Sequence, residues 1–130
     1  MSTPPPTAVD TAREFWRLMA SNDFSSVSAV LAPDFVVDWP QSNERIRGAQ
    51  RFAELNQTYP ARGPWTFTIH RLFGAGSEAV SDVTVSDGVQ RARALSFFTV
   101  VQGKVTHLLE FWPEPYAPPA NRAHLVEPID

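Results

Sequence analysis

Among the fourteen acidic residues and three histidines of this chain, Asp38, Glu110 and the histidines are the candidates to move protons, and their places along the chain decide which can cooperate. Asp38 lies in Phe35-Val36-Val37-Asp38-Trp39, a short strand pattern closed by Pro40. Strand side chains alternate between faces, so Val36 and Asp38 share one face and Phe35, Val37 and Trp39 the other. An Asp38 turned into an apolar interior would have its pKa raised into the range useful for proton transfer, because burial disfavours the charged form. An Asp38 on the rim would instead cap loop amides. On the last strand pattern, Thr106, Leu108, Glu110 and Trp112 share one face, and Val105, His107, Leu109 and Phe111 the other. His107 and Glu110 therefore point apart and can neither chelate one metal nor form a direct dyad. His70 shares its face with Thr66 and Thr68, and His124 lies in the tail, so His107 is the alternative base.

Other chemistries are excluded by composition and spacing. With no Cys there is no disulfide, thiolate metal site or thiol nucleophile. No Gly-x-Ser-x-Gly elbow and no His-x-x-x-His spacing occurs, so no nucleophile triad and no metal site are expected. The net charge is −3 and no Lys/Arg cluster stands out, which removes a nucleic-acid surface. No stretch approaches the roughly 20 apolar residues of a membrane span. The start, Met1-Ser2-Thr3-Pro4-Pro5-Pro6, has neither the basic nor the apolar region of a signal peptide, and a cytoplasmic protein is the expectation.

The elements that must position these residues can be read from periodicity. The 130 residues, 43% of them hydrophobic, suit a single core. Residues 1–6 are expected to be a flexible tail, 7–116 the folded domain, and 117–130 a Pro-rich C-terminal segment. Thr7 or Asp10 can cap a first helix carrying Val9, Ala12, Phe15, Trp16 and Met19 at helical spacing. Asp23 can cap a second, with Phe24, Val27, Val30 and Leu31 on one face and Pro33 as its stop. After the Asp38 strand, Gln41 to Arg45 reads as a polar loop. Gly48 then introduces a third helix, with Phe52 and Leu55 inward, ending near Pro60. Four strands follow: Trp65 to Phe73, Glu78 to Ser86, Val89 to Val101 and Lys104 to Trp112, with turns at Gly74-Ala75-Gly76, Asp87-Gly88 and Gln102-Gly103. Helices grouped early and strands grouped late give an α+β fold rather than a βαβ one.

This order, with Asp38-Trp39-Pro40, Arg47-Gly48 and the ending Gly103-Lys104-Val105-Thr106-His107-Leu108-Leu109-Glu110-Phe111-Trp112-Pro113, resembles the SnoaL-like branch of the nuclear-transport-factor-2-like superfamily over roughly Asp10 to Tyr116. The resemblance implies a cone, with three N-terminal helices packed on a curved antiparallel sheet enclosing a pocket. It also implies a homodimer formed on the open sheet face, with Arg91 and Arg93 either in that interface or in plain solvent, and a small apolar molecule in the pocket. Superfamily relatives include polyketide cyclases, steroid isomerases, limonene-epoxide hydrolases and non-catalytic association domains, so reaction must be argued from the site.

Carried over from the ketosteroid isomerases, the general base falls on Asp38. Their oxyanion-holding Tyr falls near Phe15, which has no hydroxyl, and their protonated Asp near Leu95 or Ser96. Losing those donors removes most of the stabilisation an enolate needs. Carried over from the limonene-epoxide hydrolases, the last-strand acid falls on Glu110. The Arg-x-Asp pair falls near Thr84 and Ser86, and the water-holding Tyr and Asn near Val36 and Asp38, so that relay is broken. The cyclases ask only for one acid/base group in an aromatic pocket, and Asp38, His107 or Glu110 fits. An inward Glu110, as the epoxide-hydrolase match implies, could share a proton with Asp38; the alternative pairs it with Arg91 or Arg93. The expectation is therefore a cofactor-independent acid/base enzyme of cyclase, isomerase or dehydratase type acting on a small apolar carbonyl compound. Asp38 and Glu110 are its catalytic candidates. Phe15, Trp39, Phe52, Tyr59, Thr84, Phe98 and Trp112 are the ligand-binding candidates. A non-catalytic binding or association module and an epoxide hydrolase with a rearranged site are the alternatives.

Overall fold

The computed structural model describes residues 4–130, so part of the expected N-terminal tail, residues 1–3, lies outside the described residues. Helix α1 (Ala8–Ala20) opens with a reciprocal cap: Thr7 Oγ1 accepts the Asp10 N–H at 3.0 Å, and Asp10 Oδ2 accepts the Thr7 N–H at 3.2 Å. Its inner stripe is Ala8, Thr11, Ala12, Phe15, Trp16 and Met19, the i, i+3, i+4 spacing that faces a core. A 3-10 helix, Phe24–Val30, follows, and strand β1 (Leu31–Trp39) begins directly after it. Pro33, read as the stop of that helix, thus lies inside β1. It falls where the pairing of β1 with its neighbour shifts between Leu31 and Val36, so its missing N–H breaks no regular ladder there.

The segment read as a polar loop contains strand β2 (Glu44–Arg47). Only Ile46 on it is buried, and four residues are too few to display an alternating pattern. Helix α2 (Ala49–Thr58) then covers the sheet with Phe52 and Ala53. Four long strands complete the fold: β3 (Thr66–Ala75), β4 (Glu78–Ser86), β5 (Arg91–Val101) and β6 (Lys104–Phe111). A 3-10 turn at Ala120–Leu125 is fully exposed.

The six strands form one sheet in the order β2-β1-β6-β5-β4-β3. All neighbours are antiparallel except β1 and β6, which run parallel. The sheet is therefore mixed rather than purely antiparallel. The chain after β1 passes through β2, α2 and three more strands before returning beside it, and that long crossover permits parallel pairing. Register shifts at Ile69/Arg71 in β3 and Thr99/Val100 in β5 add residues to one strand of a pair, which bends the long strands and curves the sheet around the helices. Gly74 lets β3 and β4 approach closely beside their turn, since a Cβ there would lie 2.3 Å from the Glu78 carbonyl oxygen.

The core fills the concave side. Phe15, Phe35, Phe98, Leu108, Val27, Val37 and Val83 are fully buried. The Phe15 ring meets Trp16, Phe52 and Phe98 at centroid distances of 5.1, 5.9 and 5.2 Å. Such aromatic contacts add to the burial of large apolar area.

Candidate functional site

Helix α1, helix α2 and the concave face of the sheet do not meet at one end, and a cavity of about 350 Å³ remains there. Phe15, Trp16 and Met19 of α1 wall it on one side, Phe52, Leu55 and Asn56 of α2 on another, and Phe67, Val85 and Ala92 from the sheet on a third. All four tryptophans of the chain, Trp16, Trp39, Trp65 and Trp112, line it. The lining also includes Tyr59, Gln90 and Glu110.

Glu110 is the buried ionisable group of this cavity, 4% exposed. Alternation along β6 turns it to the concave side, next to Trp39 of β1 and Ser96 of β5, to which it is paired in register. The Trp39 indole N–H donates to its Oε1 at 3.1 Å, and the Ser96 hydroxyl donates to its Oε2 at 2.6 Å. Burial raises its pKa above the ordinary glutamate value, and these two donors only partly offset that, because they are neutral and the charge is fully desolvated. The Trp39 ring is held in turn by Trp112, edge to face at 6.2 Å. A carboxyl whose burial favours the protonated form, held by two hydrogen bonds at the wall of an apolar cavity, is placed to donate and accept a proton.

Asp38 departs from the reading that turned it toward the cavity. Phe35, Val37 and Trp39 take the concave face of β1, because those are the large apolar side chains and the core claims them, so Asp38 lies on the outer face. There the Arg45 guanidinium grips both its oxygens, at 2.6 and 2.9 Å, and His107 Nε2 lies 2.9 Å from Oδ2. Hydrogen bonds from Arg45 hold the Asp38 carboxyl well below the usual carboxylate range, against the opposing effect of burial and with help from His107. The expected rise in its pKa is thus reversed in sign. Asp38 and Glu110 stand on opposite sides of the sheet, so they share no proton. His107, the alternative base, is also on the outer face.

Of the expected ligand contacts, Phe15, Trp39, Phe52, Tyr59 and Trp112 do line the cavity. Phe98 is packed behind Phe15 and Trp16 and is absent from the wall. Thr84 is turned to the outer face, where its hydroxyl lies 2.6 Å from His70 Nε2. Arg93, named as an alternative partner for Glu110, pairs with Asp82 on that same face. Asn56 and Gln90 also line the cavity and were not singled out as ligand contacts. Ser96, which touches Glu110 rather than the cavity, had a signal in the sequence, a hydroxyl on the strand face shared with Ala94 and Phe98. Asn56 and Gln90 had none. Among the described residues, no three His, Asp or Glu side chains come together as a metal-binding group.

The architecture is that of a nuclear-transport-factor-2-like cone: helices laid in a curved sheet, with an apolar cavity at one end. The sequence refines this, since residues 12–108 match the model of the SnoaL-like domain, and the chain belongs to that family. A protein classed as a ketosteroid isomerase from Kribbella flavida DSM 17836 is similar at 35% identity and TM-score 0.85, over 95% of this chain and 90% of that one. An NTF-2 like protein of unknown function from Burkholderia xenovorans LB400 is 25% identical with TM-score 0.75, over 95% of this chain and 96% of that one. A limonene-epoxide-hydrolase-like (LEH-like) epoxide hydrolase of M. tuberculosis is 25% identical with TM-score 0.66, over 82% of each chain. No curated protein matches the sequence at a significant level.

Proposed function

We propose that this protein is a cofactor-independent acid/base enzyme of isomerase, cyclase or dehydratase type, acting on a small apolar carbonyl compound of polyketide or terpenoid kind. The observation that carries the reading is Glu110, a dry carboxyl of raised pKa set in an aromatic cavity between Trp39 and Ser96. In the ionised form it takes the proton from the carbon next to the carbonyl. The C–H electron pair forms the C=C bond of an enolate while the carbonyl π pair moves to its oxygen. The protonated Glu110 returns the proton at another carbon, as the π pair comes back, or to a leaving oxygen whose bond to carbon breaks. Tyr59, whose ring lines the cavity, is the candidate donor to the developing oxyanion. The likeness to a protein classed as a ketosteroid isomerase supports the class of reaction.

The test is exchange of substrate α-protons with deuterated solvent across a panel of cyclic ketones, comparing the parent protein with Glu110→Gln. Exchange by the parent that falls at least a hundredfold in the variant, with ketone binding kept, is the expected result. Equal exchange by both would overturn it. A second reading is a binding module that uses the same cavity without turnover. It is favoured by Phe15 standing where the isomerases carry a hydroxyl, and by Asp38 facing away. It predicts ketone binding that survives Glu110→Gln and no exchange by either protein. Thr84, on the outer face, leaves an epoxide hydrolase of the familiar relay unsupported.

We also propose that a second copy of the chain covers the outer sheet face. Phe73 and Phe97 are 60% and 43% exposed there, with Leu95, Leu109 and Phe111 only partly covered. Strands of this length at about 4.8 Å spacing present roughly 600 Å², near the contribution of one partner to an ordinary dimer interface. Sedimentation should show a dimer, and Phe97→Lys a monomer; a monomeric parent protein would rule it out.

A further inference from the structure

Asp87 takes no part in the chemistry above, yet its carboxylate is buried, 5% exposed, and accepts four N–H groups. Oδ1 accepts the backbone N–H groups of Val89 and Gln90 at 2.9 and 2.6 Å. That is the ordinary work of an Asp closing its own turn, and Gly88 at φ +94° lets the turn form. Oδ2 does something a turn does not require. It accepts the backbone N–H of Arg62 at 2.8 Å, across the gap to the loop between α2 and β3. The Gln90 side-chain amide doubles the link, donating to Asp87 Oδ2 at 2.8 Å and to the Pro60 carbonyl at 2.9 Å. The two loops are pressed together, since a Cβ on Gly63 would come within 3.0 Å of the Asp87 carbonyl oxygen.

The loop so held begins at Tyr59 and ends at Trp65, whose rings meet edge to face at 5.9 Å and both line the cavity. Trp65 is pinned from the other side by Asn22, which accepts its N–H at 2.7 Å and donates to its carbonyl at 2.8 Å. Between the two clamps, this aromatic wall has little freedom of its own. We propose that Asp87 is a positioning residue for the cavity: its Oδ2 latches the Tyr59–Trp65 loop to the turn between β4 and β5, and so fixes the wall that an apolar ligand packs against.

Asp87→Asn separates the latch from the turn. The amide keeps one acceptor for Val89 and Gln90 and sets its NH₂ against the N–H of Arg62 and the amide of Gln90, donor against donor. Two measurements on the full chain read the result: hydrogen exchange at the Arg62 amide, and the affinity of a neutral apolar dye, 1-aminoanthracene. Exchange at Arg62 should rise at least tenfold while the amides of β5 and β6 stay protected, and dye affinity should fall at least threefold. Exchange and affinity both within twofold of the parent protein would overturn the proposal. Gln90→Met removes the side-chain bridge while leaving the Asp87 charge in place; because Gln90 itself lines the cavity, this variant is read by hydrogen exchange at the Arg62 amide alone, which should rise. If Asp87→Asn does not fold, parental exchange in Gln90→Met overturns the proposal. Neither readout needs turnover, so failure of the Glu110 chemistry and failure of this latch are separately visible.

Discussion

Replacing Glu110 by Gln tests the electrostatics of the cavity without any substrate. Glu110 is buried between two neutral donors, so its folded-state pKa lies above its value in the unfolded chain. A carboxyl with a raised folded pKa contributes its full stability below the unfolded pKa, and that contribution is lost as pH rises through the folded value. Each unit of elevation is worth about 1.4 kcal/mol. Gln keeps the shape, an acceptor for the Trp39 indole N–H and a polar contact to Ser96. At low pH its cost should therefore be no more than one rearranged hydrogen bond, about 1 kcal/mol. At high pH the parent protein must hold a desolvated charge and the variant need not. The difference in unfolding free energy should thus swing in favour of Glu110→Gln as pH rises from about 4 to about 9, by about 1.4 kcal/mol for every unit of elevation. Urea unfolding across that range measures it. Parallel pH curves for the two proteins would refute the argument, because they would mean that Glu110 titrates alike in the folded and unfolded chain.

The remaining predictions follow from the same geometry. Asp38→Asn should cost about 0.5–1 kcal/mol at neutral pH, since Arg45 is half exposed and solvent weakens the pair. Its folded pKa is depressed, so that cost should be present above the unfolded carboxylate pKa and shrink progressively as pH falls from there toward the folded value, as read by urea unfolding along that range. Because Asp38 lies across the sheet from Glu110, the same variant should leave the Glu110 titration, followed by carbon-detected NMR, where it was. Trp39→Phe removes the indole donor while keeping an aromatic ring, and should raise the Glu110 pKa further in that NMR measurement. Phe15→Ala should cost about 3–5 kcal/mol in thermal or urea unfolding, because Phe15 is fully buried against three other rings.

Much of the fold was legible because its signals are local. The spacing of Phe15, Trp16 and Met19 marked α1, the alternation of Trp65, Phe67 and Ile69 marked β3, and Glu78 to Ser86 was read to the residue. β2 escaped because one buried residue, Ile46, carries no period. Parallel pairing of β1 with β6 escaped because strand direction depends on how far the chain travels between partners, not on either strand's own pattern. At the site, alternation alone separated Glu110 from His107, and it separated Asp38 from Trp39 just as cleanly. It could not say which of the two faces was concave.

What the sequence determined by itself is therefore the alphabet of the site: a strand carboxylate, a set of aromatic walls, no thiol, and the relative facing of neighbours on each strand. Those follow from residue type and a fixed two-residue period, which need no knowledge of distant contacts. Tertiary structure alone decided that Glu110 is dry and Asp38 is paired with Arg45 and His107. It also decided that Ser96 and Trp39 meet one carboxyl, and that Asp87 reaches a loop 25 residues earlier in the chain. Each of these depends on which face of a curved sheet the helices cover, and on which strands lie side by side. Burial and long-range hydrogen bonds, the quantities that set a pKa, exist only once the whole core has closed.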